Sequence, residues 1–338
     1  MLLVVVILTL ICIGLVVGIL VLTVQKQCDK AKPEKIVCFP GQAHETRTGG
    51  VPVTIPLTYR DHYLTFNLQF ILKNGTLVDG YVVAIDSGSS RPLQVISQTY
   101  CDVNAPKGTT CFNSDTCDSV SHAFKKSNSA GTYTQTFRQC NVGHGLTDMT
   151  WNGVSWGRVP NIIWLVDENT FGPFPAWVGF GVSSSFLSAT DGMGISSFSI
   201  TGPQLTMTPQ LSIPGTPPAS PIVVTPWKAI PGHGGRSVEI VAVDGKRLPT
   251  PLWVTLDTGN SNMCDLASND TTGWPANGAF PKTISFGSSS GRTNKLNFPP
   301  STGTIGLYTH AVLGLPFLRS FNWHVDDNTK LVYFSPAE

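Results

Sequence analysis

Two stretches of this chain follow one plan, and that repetition constrains its fold more than any other feature. Residues 81–88 read YVVAIDSG and residues 252–259 read LWVTLDTG, so each apolar strand pattern ends in Asp, then Ser or Thr, then Gly. The two aspartates, Asp86 and Asp257, lie 257 − 86 = 171 residues apart. Burying a carboxylate at the end of an apolar strand is costly unless it has a partner. The repetition therefore predicts two copies of one β unit whose acidic turns share a site.

Short strand patterns fill the chain from about residue 54 onward. YLTFNLQF, at residues 63–70, alternates as a half-buried strand does, and no long segment with a helical period follows the first 24 residues. A proline-rich stretch at 206–221 is expected to break regular strand pairing, because proline lacks a backbone donor. We therefore predict an all-β body. The predicted segments are a transmembrane signal anchor (1–24), a tether or short pro-segment (25–55), an N-terminal lobe (56–205), a connection (206–222) and a C-terminal lobe (223–338).

The first 24 residues are apolar or nearly so, and about 20 such residues suffice to cross a bilayer as a helix. A removable signal peptide has a charged start, a shorter apolar run and a small-residue cleavage site, none of which is clear here. An uncleaved signal anchor is therefore favoured over a signal peptide. Four lysines follow the span, which by the positive-inside rule places the body in the cytosol. The cysteines argue for the opposite side, and large domains can be translocated despite such a charge flank.

Cysteines and glycosylation sequons predict an oxidising compartment, so we expect the body on the lumenal or extracellular side. Of the eight cysteines, Cys12 lies in the predicted span and the other seven stand in polar, loop-like contexts. The sequons mark Asn74 and Asn269 as glycosylation sites. Because seven is odd, at least one thiol is expected to be free or intermolecular. Cys264, alone in the second half, is the candidate.

Charge and histidine spacing exclude other classes of partner. The formal net charge is +1, only 13% of the residues are charged, and there is no run of Lys or Arg. These values give no reason to expect nucleic acid as a partner. The seven histidines show no spacing typical of metal ligands, so no metal or other cofactor is expected. The oligomeric state is not predictable from the sequence.

The order of motifs resembles the pepsin-like aspartic proteases over about residues 63–336. The resemblance is carried by the two acidic triplets, by WVGF at 177–180 and AVLG at 311–314, and by second-half motifs that fall in family order down to the closing LVYFSP. It implies a bilobal all-β fold with a cleft between two pseudo-symmetric lobes, each lobe giving one aspartate. It also implies a small disulfide loop after the first aspartate, in which Cys111 bonds Cys117.

In that family the two aspartates work as a pair. Like charges this close cannot both ionise easily, so one carboxyl keeps a proton. The ionised partner takes a proton from a bound water, and the protonated partner donates to the developing oxyanion. Here the pair is Asp86 and Asp257. Five neighbours are expected to tie the two loops together or to bond the carboxylates: Ser87, Gly88, Ser89, Thr258 and Gly259.

The resemblance also implies a hairpin flap over the cleft, which by order falls on residues 140–148. Gly143, His144 and Gly145 would form its tip, and Val142 stands where the family has a tyrosine. RPLQV replaces the segment that normally carries a tryptophan after the first triplet, so the usual Tyr–Trp hydrogen bond cannot form. Because a flap positions substrate and excludes water, this departure argues for less vigorous peptidase activity.

We therefore expect a membrane-anchored aspartic endopeptidase with polypeptide substrates and a preference for apolar side chains beside the cut. One alternative is a binding or surface protein that keeps the fold with weak or no catalysis, since fold alone does not grant function. Another is a serine hydrolase with Ser289 as nucleophile, based on GSSSG at 287–291. No helix pattern follows that motif as this chemistry requires, and a polar hairpin tip explains the sequence better.

Overall fold

Strands make up most of the chain that the computed structural model describes. The described residues are 53–60, 62–72, 77–91, 93–104, 111–127, 134–142, 146–152, 154–158, 162–169, 176–182, 196–202, 208–231, 234–267, 280–288, 294–297, 305–308 and 311–337. The predicted anchor and nearly all of the predicted tether lie outside these residues. Within them, none of the helices has the length and apolar character that a membrane crossing needs.

The strands are short and follow one another with few helices between them. In the first half they are β1 (Val53–Pro56), β2 (Thr58–Arg60), β3 (Tyr63–Leu72), β4 (Leu77–Asp86), β5 (Leu93–Ile96), β6 (Ser119–Val120), β7 (Phe124–Ser127), β8 (Thr134–Asn141), β9 (Leu146–Trp151), β10 (Val154–Arg158), β11 (Ile162–Asn169) and β12 (Ala176–Gly179). In the second half they are β13 (Ser197–Thr201), β14 (Gln210–Ile213), β15 (Val223–Ala229), β16 (Arg236–Val243), β17 (Lys246–Asp257), β18 (Cys264–Ala267), β19 (Thr283–Phe286), β20 (Asn294–Asn297), β21 (Ile305–Tyr308), β22 (Val312–Gly314), β23 (Phe321–Asp326) and β24 (Leu331–Pro336). The helical elements are α1 (Gln98–Asn104), a 3₁₀ turn (Ser114–Thr116) and α2 (Leu315–Leu318).

These strands form two large sheets, and the predicted all-β class is confirmed. The first sheet has eleven strands in the order β10-β9-β3-β4-β12-β5-β11-β8-β6, with β2 beside β3 and β7 beside β8. The second has thirteen strands in the order β1-β14-β13-β23-β24-β15-β16-β17-β22-β18-β21, with β19 beside β16 and β20 beside β19.

The centre of each sheet repeats one strand order. The run β3-β4-β12-β5-β11 is paired antiparallel, parallel, antiparallel, parallel, and β16-β17-β22-β18-β21 is paired in the same senses. The registers also correspond, because Gly179 lies opposite Asp86 and Gly314 lies opposite Asp257. The repetition seen in the sequence is therefore a repetition of strand topology, and each acidic turn occupies the same place in its copy.

The proline-rich stretch contains a strand, contrary to the expectation that pairing would break there. β14 lies between Pro209 and Pro214 and pairs with β1 on one side and β13 on the other. Its four residues, QLSI, include no proline and alternate between exposed and buried, so their backbone donors remain available. β1 begins within the segment assigned to the tether. These strands all join the thirteen-stranded sheet.

Buried apolar residues anchor both acidic turns. Val83, Ala84 and Ile85 before the first aspartate are fully buried, as are Val254 and Leu256 before the second. These residues belong to strands whose register is fixed by neighbours on both sides, since a slip of one residue would turn the apolar set toward water. The turns that follow are therefore held on rigid elements.

Candidate active site

The two acidic turns lie against each other. A Cβ atom added to Gly88 would overlap the carboxyl group of Asp257, and one added to Gly259 would lie 2.8 Å from Cγ of Asp86. Each glycine therefore faces the opposite aspartate at a distance that leaves no room for a side chain. The structure brings together two residues that are remote in sequence, as the repeated motif requires.

A reciprocal pair of hydroxyl groups locks the turns together. The backbone N–H of Ser87 donates to Oγ1 of Thr258, and the backbone N–H of Thr258 donates to Oγ of Ser87, both at 3.0 Å. Each hydroxyl then donates to a backbone carbonyl of the opposite strand: Ser87 to Leu256 at 2.9 Å and Thr258 to Ile85 at 2.7 Å. Ser87 and Thr258 are both buried. These four bonds perform the tying role expected of the two hydroxyls.

Backbone donors within each turn hold the carboxyl groups. The N–H of Gly88 donates to Oδ1 of Asp86 at 3.0 Å, and the N–H of Gly259 donates to Oδ1 of Asp257 at 2.8 Å. The hydroxyl of Ser89 was expected to bond Asp86. In the structure its Oγ instead accepts a hydrogen bond from the backbone N–H of Arg91 at 3.2 Å. Its own N–H donates to the backbone carbonyl of Asp86 at 3.4 Å. Ser89 thus shapes the turn through the backbone.

The two carboxyl groups are hydrogen-bonded to each other and differ in their electrostatics. Burial, the negative charge of Asp257 and the bond between the carboxyls raise the pKa of Asp86 well above its usual range. Burial also raises the pKa of Asp257, but the bonds it accepts from Gly259 and from Asp86 hold that pKa down. Because two adjacent carboxyls cannot both ionise easily, one of them keeps a proton and the pair titrates as a unit.

Further charges around the pair sit at positions related by the repeat. Five and eight residues after Asp86 come Arg91 and Gln94, and Nη1 of Arg91 donates to Oε1 of Gln94 at 3.2 Å. Five and eight residues after Asp257 come Asn262 and Asp265, and Nδ2 of Asn262 donates to Oδ1 of Asp265 at 2.9 Å. The positive charge of Arg91 lowers the pKa of Asp86, and the negative charge of Asp265 raises the pKa of Asp257. The same scaffold thus carries a cation in one copy and an anion in the other.

Sequence reasoning missed three residues at this site. Arg91 and Asp265 are signalled in the sequence only by their equal spacing from the two aspartates. Tyr63 has no local signal, because it reaches the site through the β3–β4 register, two residues beyond the Thr65–Ala84 pair. Burial and then the charges of Asp86 and Asp257 raise the pKa of Tyr63, which places its hydroxyl in the field of both carboxyl groups.

The predicted flap remains a prediction. Val142 is buried in the main core, and Gly143, His144 and Gly145 lie outside the described residues. On either side of them, β8 pairs with β11 whereas β9 pairs with β3. Four residue steps from 142 to 146 span at most about 14 Å, so these two strands from opposite ends of the sheet order must come close together.

The disulfides differ from the predicted pairing of Cys111 with Cys117. The structure pairs Cys101 with Cys111 and Cys117 with Cys140, with Cα–Cα distances of 6.2 and 5.4 Å. Long-range contacts determine these partners. The backbone N–H of Phe112 donates to the carbonyl of Ile96, which brings Cys111 close to α1. The backbone N–H of Asp118 donates to the carbonyl of Asn141, which brings Cys117 close to β8.

The remaining candidates have separate outcomes. Among the cysteines that the structure describes, Cys264 is buried and forms no disulfide, as predicted for the unpaired thiol. The sequon residues Asn74 and Asn269 lie outside the described residues, as does Ser289. The strands that flank Ser289, β19 and β20, pair antiparallel. A strand therefore follows GSSSG where a serine hydrolase would need a helix, which supports the hairpin interpretation.

Sequence comparisons identify no family for this chain. No protein-family model matches the chain. No curated protein sequence matches it significantly. The assignment of a function therefore depends on the geometry of the acidic pair.

Proposed function

We propose that this chain is an aspartic endopeptidase with the bilobal pepsin-like fold, in which Asp86 is the acid and Asp257 the base. The observation that carries the proposal is the close approach of the two carboxyl groups across two turns locked by reciprocal hydroxyls. Two adjacent carboxyls with separated proton affinities are the arrangement that acid–base hydrolysis of a peptide needs. The matching strand order of the two halves supports the bilobal part of the proposal.

In the proposed cycle Asp86 starts protonated and Asp257 starts ionised. Asp257 takes a proton from a water bound between the carboxyls, and the hydroxide attacks the carbonyl carbon of the peptide while Asp86 gives its proton to the carbonyl oxygen. Asp257 is then protonated and Asp86 ionised. In the second step Asp257 donates to the leaving nitrogen, and Asp86 removes a proton from the tetrahedral diol as the C–N bond breaks. The pair returns to its starting state without a covalent intermediate.

The setting of the enzyme is part of the proposal. An apolar segment at residues 1–24 has the length of a membrane span, and we place the body on the lumenal or extracellular side. The two disulfides support an oxidising compartment. Glycans on Asn74 and Asn269 would fit the same compartment.

Turnover by the full chain in detergent micelles tests the proposal. A mixed peptide library is incubated at pH values from about 3 to 7, the span over which a carboxyl pair exchanges its proton. Asp86→Asn and Asp257→Asn are expected to abolish cleavage while thermal unfolding remains cooperative. Asp115→Asn, an exposed aspartate in the 3₁₀ turn, is the matched control and should cleave as the natural chain does. Retained cleavage in either dyad variant would refute the mechanism.

A binding protein without efficient catalysis is the second candidate, and Val142 favours it. The family places a tyrosine there, whereas Val142 is buried and offers no hydroxyl to a substrate. If no peptide is cleaved at any pH and a statine-type transition-state mimic does not bind, the binding protein is the better description. Cleavage that the dyad variants lose would exclude it.

A further inference from the structure

A second apolar cluster, largely aromatic, covers the face of the first sheet on which Asp86 lies. It contains Tyr63, Ala84, Phe137, Val166 and Trp177, with Phe124 and Trp164 packed against it. Ala84 and Asp86 point to the same face because side chains alternate along a strand. Trp177 lies opposite Ala84 in the β4–β12 register, and its ring packs edge-to-face on that of Tyr63 with the ring centroids 4.7 Å apart. An aromatic wall therefore begins beside the acidic pair.

Two cations lie over this wall. Cζ of Arg91 is 4.9 Å from the ring centroid of Phe137 and 5.4 Å from that of Trp164. Nζ of Lys126 is 5.7 Å from the same Trp164 ring. Burial and then the positive charge of Arg91 lower the pKa of Lys126, so the two cations feel each other. Among the described residues, Lys126 has no carboxylate within ion-pair distance.

A buried amide completes the group. Nη1 of Arg91 donates to Oε1 of Gln135 at 3.3 Å, and Gln135 is 3% exposed. Its Nε2 is buried and has no hydrogen-bond partner within the described part of the chain. Lys126 lies directly opposite Gln135 in the β7–β8 register, so their side chains are neighbours on one face. A buried donor without an acceptor is costly, and beside two cations it calls for an anion.

We propose that Arg91, Lys126 and Gln135 form a subsite for the carboxylate side chain of a substrate Asp or Glu close to the cleaved bond. The proposal rests on the proposed peptidase function and specifies its substrate class. The ring of Trp164, which is only partly buried, would pack on the aliphatic part of that side chain. One wall of the site thus selects an acidic residue, in place of the uniformly apolar preference expected from the sequence.

Paired peptides test the subsite on the full chain in detergent. Fluorogenic peptides that differ only in Glu, Gln or Leu at positions flanking the cut are compared at pH 6 and low salt. We expect kcat/KM to favour Glu over Gln by about tenfold, the size of one charge-assisted bond. The preference should shrink as ionic strength rises, because exposed charges are screened. A preference for Gln or Leu would overturn the subsite.

Lys125 provides a matched control. It precedes Lys126 on β7, is also exposed, and points to the opposite face of the sheet. Lys126→Met should cut the Glu preference about threefold, the size expected for a partly exposed ion pair, and Lys126→Arg should restore it. Lys125→Met should leave the preference unchanged. Equal effects of the two Met variants would reduce the result to net charge and overturn the proposal.

Binding separates this subsite from the peptidase function. The same peptides are titrated into the Asp257→Asn chain by fluorescence anisotropy, with and without Lys126→Met. A Glu preference that depends on Lys126 supports the subsite even if the natural chain cleaves no peptide, in which case only the peptidase function fails. Peptides that are cleaved and bound without a Glu preference leave the peptidase function standing and refute the subsite.

Discussion

Thr258→Val removes one hydroxyl from the lock between the turns while keeping the shape of the side chain. Thr258 is fully buried, and its Oγ1 accepts the N–H of Ser87 and donates to the carbonyl of Ile85. Valine does neither, so both backbone groups lose this partner. The substitution therefore tests whether the hydroxyl exchange holds the acidic pair in place.

The expected cost follows from counting the groups left unpaired. A buried polar group that loses its partner costs about 1–3 kcal/mol, so two such groups give a loss of about 2–6 kcal/mol in the free energy of unfolding. Thr225→Val is the matched control, since Thr225 is equally buried but makes a single short bond, 2.8 Å to the carbonyl of Gly287. It should cost about half as much, or about 1–3 kcal/mol.

Urea denaturation measures both losses, and peptide cleavage well below the unfolding midpoint measures the effect on the site. A shift of about 1 Å in a reacting group costs on the order of 10²-fold in rate, so Thr258→Val should lower kcat by at least that factor. Thr225→Val should leave kcat unchanged. If the two variants lose equal stability and both keep full kcat, the reciprocal hydroxyls do not position the aspartates.

Two further predictions concern the acidic turns themselves. Gly88→Ala should destabilise the fold by about 1–3 kcal/mol and abolish cleavage, because the new methyl group meets the carboxyl of Asp257. The control is Gly245→Ala, at φ +75° with open space around it, which should cost about 1 kcal/mol and keep activity. An equal loss of activity in both variants would contradict this reasoning. Asp86→Asn should gain stability relative to the natural chain as pH rises from about 3 toward 7. Folding raises the pKa of the Asp86 carboxyl, so the natural chain loses stability as this carboxyl ionises in the unfolded state, and the Asn variant does not. Denaturation midpoints across this pH range decide the matter, and a difference that stays constant with pH would show that the Asp86 pKa is not raised.

Local patterns in the sequence predicted the parts of the site that depend on local structure. An apolar strand that ends in Asp-Ser-Gly or Asp-Thr-Gly specifies its own turn, and its repetition indicated that the two turns form one site. The all-β class follows from the same short alternating segments. These signals act over about ten residues, which is the length of a strand and its turn.

The parts that were missed depend on register between distant strands. Tyr63 reaches Asp86 through the β3–β4 register, and Arg91, just before β5, meets Gln135 only because of the place that β8 takes in the same sheet. The partner of Cys117 is likewise determined by the pairing of β6 with β8. Spacing along the chain cannot choose among such pairings, because each depends on which long-range strand contacts form.

The hydroxyl exchange between the turns also bears on how the two copies can change over time. Each turn is completed by groups from its counterpart, so a substitution at Ser87 or Thr258 is felt in both copies at once. Elsewhere the copies have already diverged, with Arg91 and Gln94 in one where Asn262 and Asp265 stand in the other. Substitutions at this contact disturb both aspartates, whereas substitutions among the surrounding residues can change the substrate preference and leave the reaction intact.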